Sequence, residues 1–277
     1  MAKARPILLA CVSDTHVNST VGLCPPEGVK LQDGGTYHPS KVQEWTWQCW
    51  ESFWRDCAEM RRACNARLDL IVDGDSTDGD HHHTTQIISG NLETQAYLTE
   101  RVFGVPKKLR PDKTFLCLGT EAHTGPGGSA DAALARHLHA DRDPDDDQWG
   151  SLHIRLNANG LLVDVRHVGR TSGRPWLTQS ALANLAAHIW TEHKIAEERH
   201  PDLAIRAHKH VYGDSGPGFP TRVVALPSWQ IKTIYGHGVA PESLASLGGV
   251  LILVMPDGTV TVTKKLYKPA LPKVRMA

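Results

Sequence analysis

The chain has 277 residues, with 30 basic and 30 acidic side chains. The formal net charge is zero, so no global field draws it to nucleic acid or to an anionic membrane. Sixteen histidines, and six cysteines with no Cys-x-x-Cys pair, favour imidazole chemistry over a disulfide or thiolate framework. The N-terminus lacks the order of a signal peptide, and no apolar run approaches the ~20 residues of a membrane span. The expectation is a cytoplasmic protein with reduced, mostly buried thiols and no membrane partner.

Pro6 to Val12 reads as a first buried strand, closed by Ser13-Asp14-Thr15-His16. Residues 17–40 carry Pro and Gly clusters without periodicity, a long loop whose position after the first polar block suits a lid. Lys41 to Ala66 reads as a helix with Ser40 as its N-cap. Trp47, Trp50 and Trp54 share one face of it, expected to pack on a sheet, with a substrate-stacking platform as the alternative. Leu68 to Val72 is a second strand. It runs into Gly74-Asp75-Ser76-Thr77-Asp78-Gly79 and then His81-His82-His83, a solvated loop or a further source of ligands.

A second helix is expected over Leu92 to Phe103. A third strand, Thr114 to Leu118, is closed by Gly119-Thr120-Glu121-Ala122-His123. Ala130 to His139 suits a short helix, and Asp141 to Asp147 a solvated acidic loop. Leu152 to Leu156 and Leu161 to Val168 form a hairpin around Asn159-Gly160. A long amphipathic helix spans Trp176 to Arg199. Leu203 to Ala207 is a strand running into His208-Lys209-His210, and Arg222 to Leu226 is another. Val250 to Met255 and Thr259 to Leu266 make a final hairpin. Strands alternating with helices, then hairpins, predict an α/β sandwich with mixed sheets. Residues 1–267 are read as one domain and 268–277 as a basic tail.

Five strand ends carry the same chemistry: Asp14-x-His16, Gly74-Asp75, Glu121-x-His123, His167 and His208-x-His210. Ligands of open α/β sheets bind at the carboxyl ends of strands. Residues i and i+2 of a strand point the same way, so Asp14 with His16, and His208 with His210, can each aim two ligands at one point. Mixed carboxylate and imidazole donors suit Mn, Fe, Zn or Ni. Asp14, His16, Asp75, Glu121, His167, His208 and His210 are enough donors for two cations about 3.5–4 Å apart, with Asp75 able to bridge.

In this order the blocks resemble the signature of the calcineurin-like metallophosphoesterase superfamily. That signature is D-x-H, G-D-x-x-D, G-N-H-(D/E), a lone His after a strand, and G-H-x-H. The chain offers Asp14-x-His16, Gly74-Asp75-x-x-Asp78, a modified third block, His167 and Ala207-His208-x-His210. The resemblance covers residues 14 to 210. It implies a four-layer α/β/β/α sandwich with a di-metal site between the sheets, Mn being the first metal expected. Carried over block by block, Asp14, His16 and His210 hold one metal, Asp75 bridges, and His167 and His208 hold the other.

The third block departs from the family pattern. By direct count Thr120 stands where the family has its Asn ligand. With one residue inserted, Glu121 is the ligand and His123 takes the place of the catalytic His. The second alignment is preferred here, because a carboxylate binds a cation better than a hydroxyl does. His123 is then the group that protonates the leaving oxygen or steadies the transition state. Asp78 is expected to orient a ligand. Arg170, Arg174 and Lys209 are phosphate contacts or ordinary surface charges. The altered block and the extra loops resemble a divergent branch of the kind found in phage and prophage genomes.

The function implied is hydrolysis of a phosphomonoester or phosphodiester by metal-activated water. A nuclease of the same superfamily is the alternative. The basic tail and the tryptophans favour it, and the balanced charge speaks against it. A reading of another class is a binding or scaffold module that keeps the fold without turnover, which loss of ligands would mark.

Overall fold

Six consecutive buried residues make the first strand, β1 (Ile7–Val12), which is apolar on both faces. Such a strand needs cover on both sides. The computed structural model, which describes residues 4–79, 85–169, 177–241, 244 and 246–270, shows what supplies it. After β1 come β2 (Val29–Lys30), β3 (Thr36–Tyr37), α1 (Lys41–Ala63), β4 (Arg67–Asp73), α2 (Leu92–Lys107) and β5 (Lys113–Cys117). Next are α3 (Glu121–Thr124), α4 (Ser129–Leu138), β6 (Ile154–Ala158), β7 (Leu161–Val168), α5 (Thr178–Ile195) and β8 (Leu203–Ala207). The chain closes with β9 (Gly213–Asp214), β10 (Arg222–Ala225), α6 (Ile234–Val239), β11 (Leu247–Val254) and β12 (Val260–Tyr267).

Two five-stranded mixed sheets form, ordered β12-β11-β1-β4-β5 and β6-β7-β8-β10-β9. Within the first, β1, β4 and β5 run parallel; within the second, β7, β8 and β10 do. The alternation along each strand sorts the core into layers. Leu8, Ala10 and Val12 of β1 and Leu68, Leu70 and Val72 of β4 face the helices, against Trp50, Phe53 and Trp54 of α1 and Leu98 and Phe103 of α2. Ile7, Leu9 and Cys11 of β1 face the other way and meet Val163, Val165, Leu203 and Ile205 of the second sheet. Leu182, Leu185 and Ile189 of α5 cover that sheet's outer side, on Ala204, Val223 and Ala225. The fold is therefore a four-layer α/β/β/α sandwich.

The tryptophan stripe of α1 is core. Trp47, Trp50 and Trp54 are all buried, Trp50 packs edge-on to Trp229, and its Nε1–H donates to the Val102 carbonyl. Ser40 caps α1 in a full capping box with Gln43. All six cysteines are free, and five are buried. α2 extends one turn past the expected Phe103: Pro106 in its last turn has no N–H for the Val102 carbonyl, which accepts the Trp50 indole instead. β11 starts at Leu247, before the expected Val250, because the strand absorbs Gly248-Gly249, a pair that reads as a break. The first part of the 17–40 loop packs into the body of the fold. Val17, Asn18, Ser19, Leu23 and Cys24 are buried, and Val17 bridges to Thr77.

Candidate metal centre

The parallel strands deliver their carboxyl ends to one place. β1 gives Asp14 and His16, β4 gives Asp75, β7 carries His167 one residue from its end, and β8 gives His208 and His210. Backbone bonds stitch these ends together. The Asp14 amide donates to the Gly74 carbonyl (3.0 Å), the His16 amide to that of Asp75 (3.1 Å), and the Trp229 amide to that of Asp14 (3.0 Å). Asp14, His16, Asp75, His208 and His210 all have positive φ, from 41° to 73°. Non-glycine residues pay for that conformation, and such strain collects at functional sites. Gly74, at φ 73°, cannot be replaced: a Cβ there would lie 2.6 Å from His167 Nδ1 and 2.6 Å from Gly119 Cα.

The donor atoms fall into three overlapping groups: Asp14 with His16 and His210; Asp75 with His167 and His208; and His16 with Asp75 and His123. Each carboxylate is divided between structural and open duties. Asp14 Oδ2 accepts from the Ser13 hydroxyl (2.6 Å) and the His208 amide (3.1 Å). Its Oδ1 is buried without a hydrogen-bond partner, and faces Nε2 of His210 at 3.3 Å, of His16 at 3.8 Å and of His167 at 3.9 Å. Asp75 Oδ1 accepts from the Thr120 amide (2.7 Å) and hydroxyl (3.0 Å), while Oδ2 lies 2.9 Å from His167 Nε2 and 3.9 Å from His208 Nδ1. The Nε2 atoms of His16 and His210 meet at 3.0 Å.

Burial opposes charge throughout this cluster, and at Asp14, Asp75, His16 and His167 the opposite charges win. Burial raises the Asp14 and Asp75 carboxyls, but the surrounding imidazoles, led by His167, hold both well below the carboxylate range. Burial lowers His16, yet Asp14 and Asp78 bring it up to about 10. His167 is likewise driven well above its ordinary value, against burial, by Asp14 and Asp75. Next to His16, His210 goes down, by burial and by repulsion from its neighbour. His16 and His167 thus hold protons where a cation would hold its charge. An orphaned buried carboxylate oxygen ringed by three imidazole nitrogens fits a divalent cation of the Mn, Fe, Zn or Ni kind.

Glu121 is not brought into the cluster. It begins α3, its side chain is exposed, and its carboxylate accepts the Gly127 amide at 2.8 Å. The preferred alignment of the third block is corrected accordingly: Thr120, its direct-count residue, is the one that touches Asp75. The reason is α3 itself. One helical turn beginning after Thr120 throws Glu121 outward and returns His123 to the site, where its ring lies 4.5 Å from that of His16. His123 Nδ1 is 2.8 Å from Asp78 Oδ1. Lys209 is exposed between His208 and His210. Arg170, Arg174 and His81 to His83 lie outside the described residues.

Three residues that the sequence reading passed over support the site. Ser13 holds Asp14, as above. Asp131, fully buried on α4, accepts the Gly119 amide (2.8 Å) and the Ser76 amide (3.1 Å), tying the loops after β4 and β5 together. Gln230 donates to Asp78 Oδ2 at 3.1 Å. An acid in the first turn of a helix reads as a dipole partner, and a lone glutamine between strands has no signature, so neither stands out in sequence.

No family model matches the chain, and no curated protein sequence matches it. Solved structures align with it at low identity. The sulfate thiohydrolase SoxB of Thermus thermophilus, in complex with glycerol, has a TM-score of 0.42 at 12% identity, over 97% of this chain and 57% of that one. Vps29 of Chaetomium thermophilum has 0.42 at 8%, over 95% and 98%. A dimetal phosphatase from Danio rerio has 0.39 at 10%, over 95% and 99%. The chain spans little more than half of the SoxB structure. At TM-scores below 0.5 these likenesses carry no argument about activity, which rests on the geometry of the site.

Proposed function

We propose that this chain is a phosphoester hydrolase dependent on divalent cations. The observation that carries the reading is the buried Asp14 Oδ1, unpartnered and facing three imidazole nitrogens, beside an Asp75 that belongs to two donor groups. Asp14, His16 and His210 would hold one cation; Asp75, His167 and His208 would hold a second. When bound, such cations offset the charge of phosphoryl oxygens and make water acidic enough to attack phosphorus near neutrality. Mn is the first to test, Fe, Zn and Ni the next.

The chain's own groups do the remaining work. Ser13 and the His208 amide fix Asp14 through one oxygen and turn the other inward. Thr120 does the same for Asp75. Asp78 takes the Nδ1 side of His123, which leaves Nε2 as the ring atom that passes a proton to the leaving oxygen. Burial raises the Asp78 carboxyl, but its bonds to His123 and His16 outweigh this and hold it below its ordinary range, so it stays an acceptor.

The test uses the full chain, stripped with a chelator and reloaded with Mn, Fe, Zn or Ni. The substrates are bis(4-nitrophenyl) phosphate, 4-nitrophenyl phosphate, a cyclic nucleotide, and single- and double-stranded DNA. Turnover of an aryl ester that appears on reloading and vanishes on chelation is the expected result. Cleavage of DNA alone would favour the nuclease. Inertness toward every ester with every metal would overturn the reading and leave the binding module.

A further inference from the structure

We infer that Gln230 is a positioning residue for the proton-transfer step: it holds Asp78 in the orientation that aims His123. The inference rests on the proposed hydrolase reading and extends it to a residue more than a hundred positions from His123 in sequence.

Asp78 is a hub with its two oxygens assigned to different partners. Oδ1 faces imidazoles, His123 Nδ1 at 2.8 Å and His16 Nδ1 at 3.8 Å. Oδ2 accepts from Gln230 Nε2 at 3.1 Å. A carboxylate oxygen can only accept, so the amide nitrogen of Gln230, and not its oxygen, must face it. The main chain of Asp78 is pinned as well, its amide donating to the Val17 carbonyl (2.7 Å) and its carbonyl accepting from Asn18 Nδ2 (2.9 Å). With the backbone fixed, the free variable is rotation of the carboxylate, and Gln230 fixes it.

Gln230 is itself held. It is 4% exposed, the Ser228 hydroxyl donates to its main-chain carbonyl (2.9 Å), and its neighbours Trp229 and Ile231 donate backbone bonds to Asp14 and Val21. The segment after β10 therefore reads the first metal-ligand block through its backbone and the acid's partner through its side chain. Without Gln230, Asp78 Oδ2 is buried and short of a donor, and the carboxylate can turn to share both oxygens with the imidazoles. His123 would then lose its fixed angle.

Gln230→Met keeps the length and volume and removes the donor; Gln230→Leu removes it with a shorter apolar side chain. Both are measured with the cation-loaded full chain on methyl 4-nitrophenyl phosphate and methyl phenyl phosphate. These esters differ in how much protonation the leaving oxygen needs. Loss of such an orienting partner typically costs about 10- to 100-fold in activity. The expected result is a kcat loss of that size on the phenyl ester, a smaller loss on the nitrophenyl ester, little change in KM, and metal content equal to wild type. In a His123→Ala background, Gln230→Met should add nothing further, because the two substitutions remove the same step. An equal kcat loss on both esters, or a full additional loss in the His123→Ala background, would overturn the inference. If His123→Ala alone shows no dependence on the leaving group, it is the underlying acid assignment that fails. Should Gln230→Met not fold, Gln230→Leu gives the same comparison.

Discussion

At the scale of single residues, the site turns on which oxygen of each carboxylate is already spoken for. Thr120 occupies Asp75 Oδ1 with both its amide and its hydroxyl, whereas Asp14 Oδ1 has no hydrogen-bond partner and faces imidazole nitrogens alone. A cation held by Asp14, His16 and His210 would have a carboxylate of its own. One held by Asp75, His167 and His208 would have only the shared one. Two unequal binding steps follow. Thr120→Asn, which supplies an amide oxygen beside Asp75, should tighten the weaker step and leave the stronger unchanged, read by calorimetric titration with Mn. Glu121→Ala should keep both cations, since its carboxylate serves Gly127. Loss of a cation in that variant would return Glu121 to the ligand set. The ligand pairs Asp14-x-His16 and His208-x-His210 were legible as closely spaced donors just past strand ends, although left-handed backbone at each of the four, and not a strand's period of two, sets their aim. The third block was not: α3 is four residues long, too short to show a helical period, and it alone decides which of Thr120 and Glu121 faces inward.

At the scale of elements, the strands and long helices announced themselves through their apolar periods, while the two-residue strands β2, β3 and β9 and the six-residue α6 were too short to do so. α1 owes its start to the Ser40–Gln43 capping box, and Gln43 also donates to the Ser19 carbonyl at 3.1 Å, joining the helix to the loop after β1. Ser40→Ala should cost about 1 kcal/mol of unfolding free energy in a denaturant titration; no change would mean the cap contributes nothing here. β4 ends on Asp73, fully buried in the inter-sheet layer, its carboxylate oxygens without a hydrogen-bond partner beyond the nearby Cys117 thiol. Burial, aided by Asp14 and opposed by His167, raises its carboxyl to about 7. The folded chain then holds a proton that the unfolded chain has already released, between the ordinary carboxyl value and about 7, so this group lowers stability progressively as pH rises through that window. Asp73→Asn removes the penalty. In the metal-free protein, its Tm advantage over wild type should be small at pH 4 and largest above pH 7. An advantage independent of pH would contradict the assignment.

At the scale of the whole molecule, two sheets press the carboxyl ends of their parallel strands against each other, and the electrostatics of that edge belong to neither sheet alone. Asp14 and Asp75 come from the first sheet, and His167, His208 and His210 from the second, so the cluster exists only when the sandwich is closed. Among the described residues no helix is long and apolar enough to cross a membrane. In the metal-free state His16 titrates at about 10 and His167 well above its ordinary value, so both carry protons at pH 7. Cation uptake must displace them. Titration calorimetry in buffers of different ionisation enthalpy should therefore show proton release at pH 7, and the affinity should rise with pH. Uptake without proton release would mean that the cation binds elsewhere.

The central claim is that two cations share Asp75 in a buried donor cluster. Elemental analysis of the full chain and of Asp75→Asn, each reloaded with Mn and freed of unbound metal by gel filtration, tests it most directly. The wild type should retain two Mn per chain and the variant at most one, with phosphodiester turnover lost alongside. Two Mn retained by Asp75→Asn would contradict it.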